Sequence, residues 1–278
     1  MIAVTSKARV NRGTRAQAQA PKLRLKVLSV GTDAKTVKGS KYKIATAILY
    51  LAPADEAGRG NLCPHASAGC RAACLFTAGR GKFDNVRTAR INKTLRWFDD
   101  RRAFLADIVQ DITKLEKYCK RHKLTPAVRL NGTSDIPWEN VILPDEGCSI
   151  MDLFPGVKFY DYTKNPHRAI GAAFGKLPLN YSLTFSRSED NAKHCALVIE
   201  AGGNVAAVYS AAMFDTFRFP PTGLIYDREA TAPHFGVTRL IFNGDDSDAR
   251  FLDPAGVVVA LRAKGDARGD SSGFVINQ

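Results

Sequence analysis

Residues 44–52 read Ile44-Ala45-Thr46-Ala47-Ile48-Leu49-Tyr50-Leu51-Ala52 and stop at Pro53. A short apolar run closed by a residue that cannot donate to a ladder reads as a buried strand. Working outward from it, similar short runs recur at 126–131 (PAVRLN), 157–162 (VKFYDY), 179–185 (LNYSLTF), 204–208 (NVAAV), 223–227 (GLIYD), 237–242 (VTRLIF) and 256–261 (GVVVAL). Residues 84–98 read as a basic helix with Arg87, Arg90 and Lys93 three apart on one side. Residues 101–122 place Phe104, Leu105, Ile108, Ile112, Leu115 and Cys119 at helical spacing, an amphipathic helix with Cys119 as a small core residue. Strands alternating with helical or loop segments predict βαβ units and a parallel sheet. About eight strands predict an α/β fold built on a parallel (β/α) barrel, complete or partial.

A chain of 278 residues with 45% apolar content can bury one large core. The reading is a flexible basic arm over residues 1–26 and a single barrel-like domain over 27–278. The arm carries Lys7, Arg9, Arg12, Arg15, Lys22, Arg24 and Lys26 with no acid among them, and the whole chain has a formal charge of +13. Such an arm attracts polyanions by counterion release, which makes nucleic acid the natural partner; a solvated tail that aids solubility is the alternative. A transit peptide fits less well, because the segment lacks an apolar face. No stretch approaches the roughly 20 apolar residues of a membrane span, and the start of the chain lacks the apolar core of a secretory signal, so the expected location is cytoplasmic. Six cysteines in a reducing compartment point to metal or redox chemistry rather than a disulfide framework.

In a parallel barrel the groups that do chemistry sit just past the C-terminal ends of the strands. Here those positions read Asn131-Gly132-Thr133-Ser134-Asp135, Thr163-Lys164-Asn165, Ser186-Arg187-Ser188-Glu189-Asp190, Asp227-Arg228-Glu229 and Asn243-Gly244-Asp245-Asp246-Ser247-Asp248. They are expected to converge on one mouth, although Ser, Asp and Asn also serve as helix caps. The acidic loop 245–248 lacks the spacing and terminal Glu of an EF-hand loop, so a hard-cation site competes there with a turn in which Asp248 or Asp253 pairs with Arg250. Tyr160 and Tyr162, two apart on one strand, share a face.

The segment Asn61-Leu62-Cys63-Pro64-His65-Ala66-Ser67-Ala68-Gly69-Cys70-Arg71-Ala72-Ala73-Cys74 has the spacing C-x6-C-x3-C within a loop over 61–81, shortly after the first strand. Three thiolates, Cys63, Cys70 and Cys74, can hold three irons of a [4Fe-4S] cluster and leave the fourth open to a ligand. Soft thiolates also suit zinc. A Cys3His site using His65 is that alternative, set against the usual pairing of two close ligands with a distant pair. Three unligated thiols is the third. Pro64, Ser67 and Gly69 permit a tight wrap whose N–H groups can bond to sulfur and tune it.

The strings "LCPHASAGCRAACLFTAGRG", "VRLNGTSDIPWE" and "FYDYTKNPHRA" resemble the phage family known as gene product 88, over roughly residues 43–265. That family in turn resembles divergent radical S-adenosylmethionine (SAM) proteins. The resemblance implies a radical-SAM-like fold, a cluster on Cys63, Cys70 and Cys74, SAM as a second cofactor, an external electron donor, and residence in the host cytoplasm. By position it would place Asn131, Thr133, Ser134 and Asp135 at the methionine ammonium, and Lys164 and Arg187 at its carboxylate or at a phosphate. Two departures weaken the SAM part: the cysteine gaps are wider than C-x3-C-x2-C, and no Gly-Gly-Glu motif is present.

Two functions follow. One is a radical-SAM-like enzyme acting on a nucleotide or nucleic-acid-related substrate, with the basic arm and the Arg87/Arg90/Lys93 helix as contacts. The other is a non-enzymatic iron-sulfur or zinc protein that binds nucleic acid. No G-x-S-x-G elbow or GxxxxGK[ST] loop occurs, which argues against an α/β-hydrolase and a P-loop nucleotidase.

Overall fold

The computed structural model describes residues 23–31, 42–221, 223–226 and 240–277. Its strands are β1 (Ser29–Val30), β2 (Ile44–Ile48), β3 (Thr125–Arg129), β4 (Lys158–Thr163), β5 (Tyr181–Ser186), β6 (Val205–Tyr209), β7 (Leu224–Tyr226), β8 (Leu240–Asn243), β9 (Val258–Arg262) and β10 (Val275–Ile276). They form one sheet in the order β1-β2-β3-β4-β5-β6-β9-β8-β7, with β10 beside β6. From β2 across to β8 every neighbouring pair is parallel, while β1 and β7 are antiparallel edges. The expected parallel α/β sheet is therefore present. It is not closed: among the described residues β1 and β7 are its two ends, so a complete barrel is not formed.

All eight sequence runs contain strands, but 223–227 gives the antiparallel edge β7 rather than a barrel strand. Two-residue β1 and β10 carry too few side chains for a period to register. The helices between the strands are α1 (Ala68–Ala72), α2 (Asp84–Asp99), α3 (Arg101–His122), α4 (Ile150–Leu153), α5 (Pro166–Ala173), α6 (Ala192–Glu200) and α7 (Ala211–Thr216). None is long and apolar enough among the described residues to cross a membrane.

One face of the sheet is apolar. Side chains alternate across each strand, so Ala47, Val128, Phe159 and Tyr181 line up on that face and meet Phe104, Leu105, Ile108, Ile112, Leu115 and Cys119 of α3. Full burial of each large apolar side chain contributes about 1.5–3 kcal/mol. The same face continues through Phe185, Val205, Val258 and Ile241 under α6. The stripe of α3 also buries two carboxylates. Asp111, fully buried, accepts from the backbone N–H groups of Lys26, Val27 and Leu28 at 2.8, 2.7 and 3.0 Å. Leu23 and Leu25 pack on this core too, so the last residues of the expected arm belong to the folded body; residues 1–22 lie outside the described residues.

The opposite face is polar. Arg129, Tyr160 and Tyr162 point there and are covered by the connection from β8 to β9. Asp248 Oδ2 in that connection accepts from Tyr160 Oη at 3.1 Å and Arg129 Nη1 at 3.3 Å, and the Arg129 guanidinium lies 4.8 Å from the centre of the Tyr162 ring. Arg250 pairs with Asp253 at 3.3 Å, and Asp245 with Lys264 at 3.1 Å. The acidic loop is thus a set of ion pairs under the sheet rather than a cation site.

Asp248→Ala leaves Arg129 buried without its carboxylate and is expected to cost about 3–5 kcal/mol. Tyr160→Phe, which removes one neutral donor, is expected to cost about 1 kcal/mol. Equilibrium denaturation in urea measures both, and equal losses in the two variants would contradict the buried-pair account.

Candidate functional site

Four loops leaving the C-terminal ends of adjacent parallel strands meet at one edge of the sheet. Cys63, in the loop after β2, has its Sγ 3.8 Å from the Thr133 carbonyl oxygen in the loop after β3, and the Asp135 N–H donates to the Leu62 carbonyl at 2.8 Å. Asp135 Oδ2 accepts from the Lys164 backbone N–H at 2.9 Å after β4. Lys164 Nζ reaches the loop after β5, donating to Ser186 Oγ, the Arg187 carbonyl and the Ser186 carbonyl at 2.9, 3.1 and 3.3 Å. Glu189 closes the ring, accepting from Ser67 Oγ and the Gly69 N–H at 2.7 Å each.

The cysteine segment is shaped by these contacts. Ser67 caps α1, accepting from the Cys70 N–H at 3.1 Å, and a carboxylate at the same end suits the unpaired N–H groups there. Gly69 is required by close approach, since a Cβ there would stand 2.2 Å from Ser272 Oγ and 2.8 Å from Glu189 Oε2. The three sulfurs are half-buried, and each lies in the field of another. Each also has one N–H donor: the Ala54 backbone for Cys63, the Lys164 ammonium for Cys70, and the Phe76 backbone for Cys74 at 3.5 Å. Ala54 sits in the left-handed region (φ 46°), a conformation that costs a non-glycine residue about 1–2 kcal/mol. Burial pushes the Cys63 thiol up to about 12 and raises Cys70 and Cys74 as well; Lys164 opposes this at Cys70. Among the described residues no group of three His, Cys, Asp or Glu side chains stands ready to hold a metal ion, and His65 is exposed.

The sequence profile of a family described as gene product 88 matches residues 24–278. The chain belongs to the gene product 88 family. No curated protein and no solved structure matches it, so membership brings the family without an activity. In this gene product 88 chain the match begins two residues before Lys26, whose backbone is anchored on Asp111.

The residues expected at a SAM site divide. Asn131 is a structural hub: its Oδ1 accepts from Ser134 Oγ, the Ile136 N–H and the Trp138 indole N–H, and its Nδ2 donates to the Ile136 carbonyl. Thr133 Oγ1 donates to the Leu51 carbonyl at 2.5 Å. Asp135 Oδ1 pairs with Arg168 Nη1 at 2.7 Å, and Arg168 also grips Glu139. Arg187 Nη1 donates to the Gly273 and Phe274 carbonyls, tying down the segment before β10. Asn131, Thr133, Ser134, Asp135 and Arg187 are therefore engaged within the protein, and Lys164 faces Cys70. Arg90 and Lys93 do not form an outward basic stripe either. Arg90 is buried against the Tyr50 and Phe76 rings, and Lys93 donates to the Val27 carbonyl, its ammonium lowered to about 8 by desolvation and by Arg90. Asp227, Arg228 and Glu229 lie outside the described residues.

Sequence reading missed Glu189, Arg168 and the approach of Ser272 to Gly69, because each acts from a loop with no spacing signal linking it to the cysteines. It also missed Asp161, a fully enclosed carboxyl pushed up to about 7 by desolvation, which accepts from the Asn131 N–H at 2.7 Å and bonds the Tyr181 hydroxyl at 3.1 Å. Glu189→Ala removes both contacts at the start of α1. Alkylation of Cys63, Cys70 and Cys74 in the metal-free protein is expected to speed up by roughly tenfold or more, from the loss of two charged hydrogen bonds, while Cys119 stays protected. Site-resolved mass spectrometry reads this, and unchanged rates would remove Glu189 from the role.

Proposed function

We propose that Cys63, Cys70 and Cys74 hold an iron-sulfur cluster of the [4Fe-4S] type, and that this phage-family protein uses it on a nucleotide or nucleic-acid-related partner. The observation that carries the reading is the meeting of these three sulfurs at the C-terminal edge of a parallel sheet, each supplied with its own N–H donor. Donors of this kind stabilise thiolates and tune whatever they ligate. When bound, a cluster with three protein ligands supplies one-electron chemistry and an iron position open to a further ligand. The chain's own residues do the rest. Glu189 and Ser67 fix the direction of α1, Lys164 offsets charge at Cys70, and Phe274 with Ala73 and Ala263 packs around Cys70 to limit water.

SAM as the further ligand is the finer reading; it rests on the family resemblance and on the location of the edge. The engagement of Asn131, Thr133, Ser134 and Arg187 within the fold favours a second reading, a cluster that braces the cysteine loop of a nucleic-acid-binding protein. The formal charge of +13 and the acid-free basic arm support a polyanionic partner under either reading. The electron donor and a cytoplasmic location are part of the same proposal.

Anaerobic reconstitution with iron and sulfide is expected to give a brown protein whose reduced spectrum changes with SAM under the enzymatic reading and does not under the bracing one. Cys70→Ser is expected to lose the paramagnetic signal and Cys119→Ser to keep it, because Cys119 packs in the core beside α3. Equal iron in the two variants, or colourless protein after reconstitution, refutes the assignment. A pH dependence accompanies it. Free thiols held above their ordinary value are protonated at neutral pH, so loading must release protons and is favoured as pH rises. Iron retained against a fixed chelator is therefore expected to increase from pH 6 to pH 9; a flat or falling profile contradicts ligation by these raised thiols.

A further inference from the structure

We infer that Lys164 is a positioning residue: its ammonium is the fixed counter-cation of Cys70 and sets the potential of the group that the three thiolates hold. The inference rests on the iron-sulfur reading above and adds a residue that controls it. Lys164 follows β4, yet its side chain is drawn across to β5, where Ser186 Oγ, the Ser186 carbonyl and the Arg187 carbonyl all accept from Nζ. The Phe274 ring lies 5.1 Å from the ammonium and limits its freedom on another side. Every one of these partners is neutral. They orient a cation without cancelling its charge.

Other enclosed cations nearby are treated differently. Arg168 meets Asp135 and Glu139, Arg129 meets Asp248, and Arg250 meets Asp253. Lys164 forms no ion pair with a carboxylate among the described residues, and the anion-forming group it hydrogen-bonds is Cys70. A half-buried ammonium held only by dipoles is costly unless an anion faces it. A thiolate at Cys70 supplies that anion, and added negative charge on a bound cluster is stabilised by the same cation. The backbone of Lys164 is anchored by Asp135, itself held by Arg168, so the position is fixed from behind as well as from the front.

The test uses the full chain, reconstituted anaerobically with iron and sulfide and titrated with dithionite while the paramagnetic signal is followed. Lys164→Met is expected to keep its iron and to shift the midpoint potential negative by at least tenfold in the reduction equilibrium, about 59 mV for one electron. Lys164→Arg, which retains the charge, is expected to recover most of that shift. A Lys164→Met potential equal to wild type, or no recovery by Lys164→Arg, overturns the role. Should Lys164→Met fail to fold or to load, Ser186→Ala keeps the ammonium but removes one anchor; a smaller negative shift supports the role and an unchanged potential overturns it. Wild-type protein that takes up no iron sinks the underlying three-thiolate reading, and this inference with it; iron-loaded wild type with indifferent variants sinks only the role of Lys164.

Discussion

Parallel pairing of β2, β3, β4 and β5 places their C-terminal ends side by side at the spacing of neighbouring strands, about 4.8 Å. Everything at the candidate site follows from that constraint. Each strand releases its chain at the same edge, so a loop after one strand can be held by the loop after the next. The contacts run in that order: Leu62 to Asp135, Asp135 to Lys164, Lys164 to Ser186 and Arg187, and Glu189 back to Ser67 and Gly69. A cysteine loop with little regular structure of its own is thereby fixed by its neighbours. The ring also explains why so many polar side chains here face one another rather than solvent.

Much of the fold was legible because buried parallel strands are short apolar runs and α3 has a regular apolar stripe. The sequence reading broke down where charge is buried. Asp111 sits on the same stripe as Ile108 and Ile112 and is fully enclosed because three backbone N–H groups satisfy it. Arg90 and Lys93 looked like a solvent-facing basic row, but that side of α2 packs toward Tyr50, Phe76 and Val27. The acidic run 245–248 looked like a surface turn or cation loop, yet Asp248 goes under the sheet to meet Arg129 and Tyr160. Composition records that a residue is charged; it does not record whether a partner awaits it across a hundred residues.

At the site the cysteines were legible from spacing alone. The Asn131-Gly132-Thr133-Ser134-Asp135 string suggested ligand contacts by its position after a strand, but Asn131 satisfies four partners within its own loop and tryptophan turn. Gly132 shows why the string is compact: a Cβ there would stand 2.6 Å from the Leu49 carbonyl oxygen. Such a loop is a rigid shelf for Cys63 rather than a set of free hydrogen-bonding groups. Lys164 and Glu189 lie in loops that composition alone could not rank, and only the register of β4 and β5 gives them their direction.

The short strand β10 has a consequence for the order of events. Strand β9 takes one edge of β6 along Val205–Tyr209; the other edge is shared, with β5 at Val205 and Ala206 and β10 at Val208 and Tyr209. Phe274 and Val275, which lead into and form β10, pack with Ala73 beside Cys70. One wall of the cysteine pocket therefore comes from residues made long after the cysteines themselves. Until that wall docks, the sulfurs face solvent on one side, which gives an inorganic guest a period of free access during biogenesis that the mature protein no longer grants.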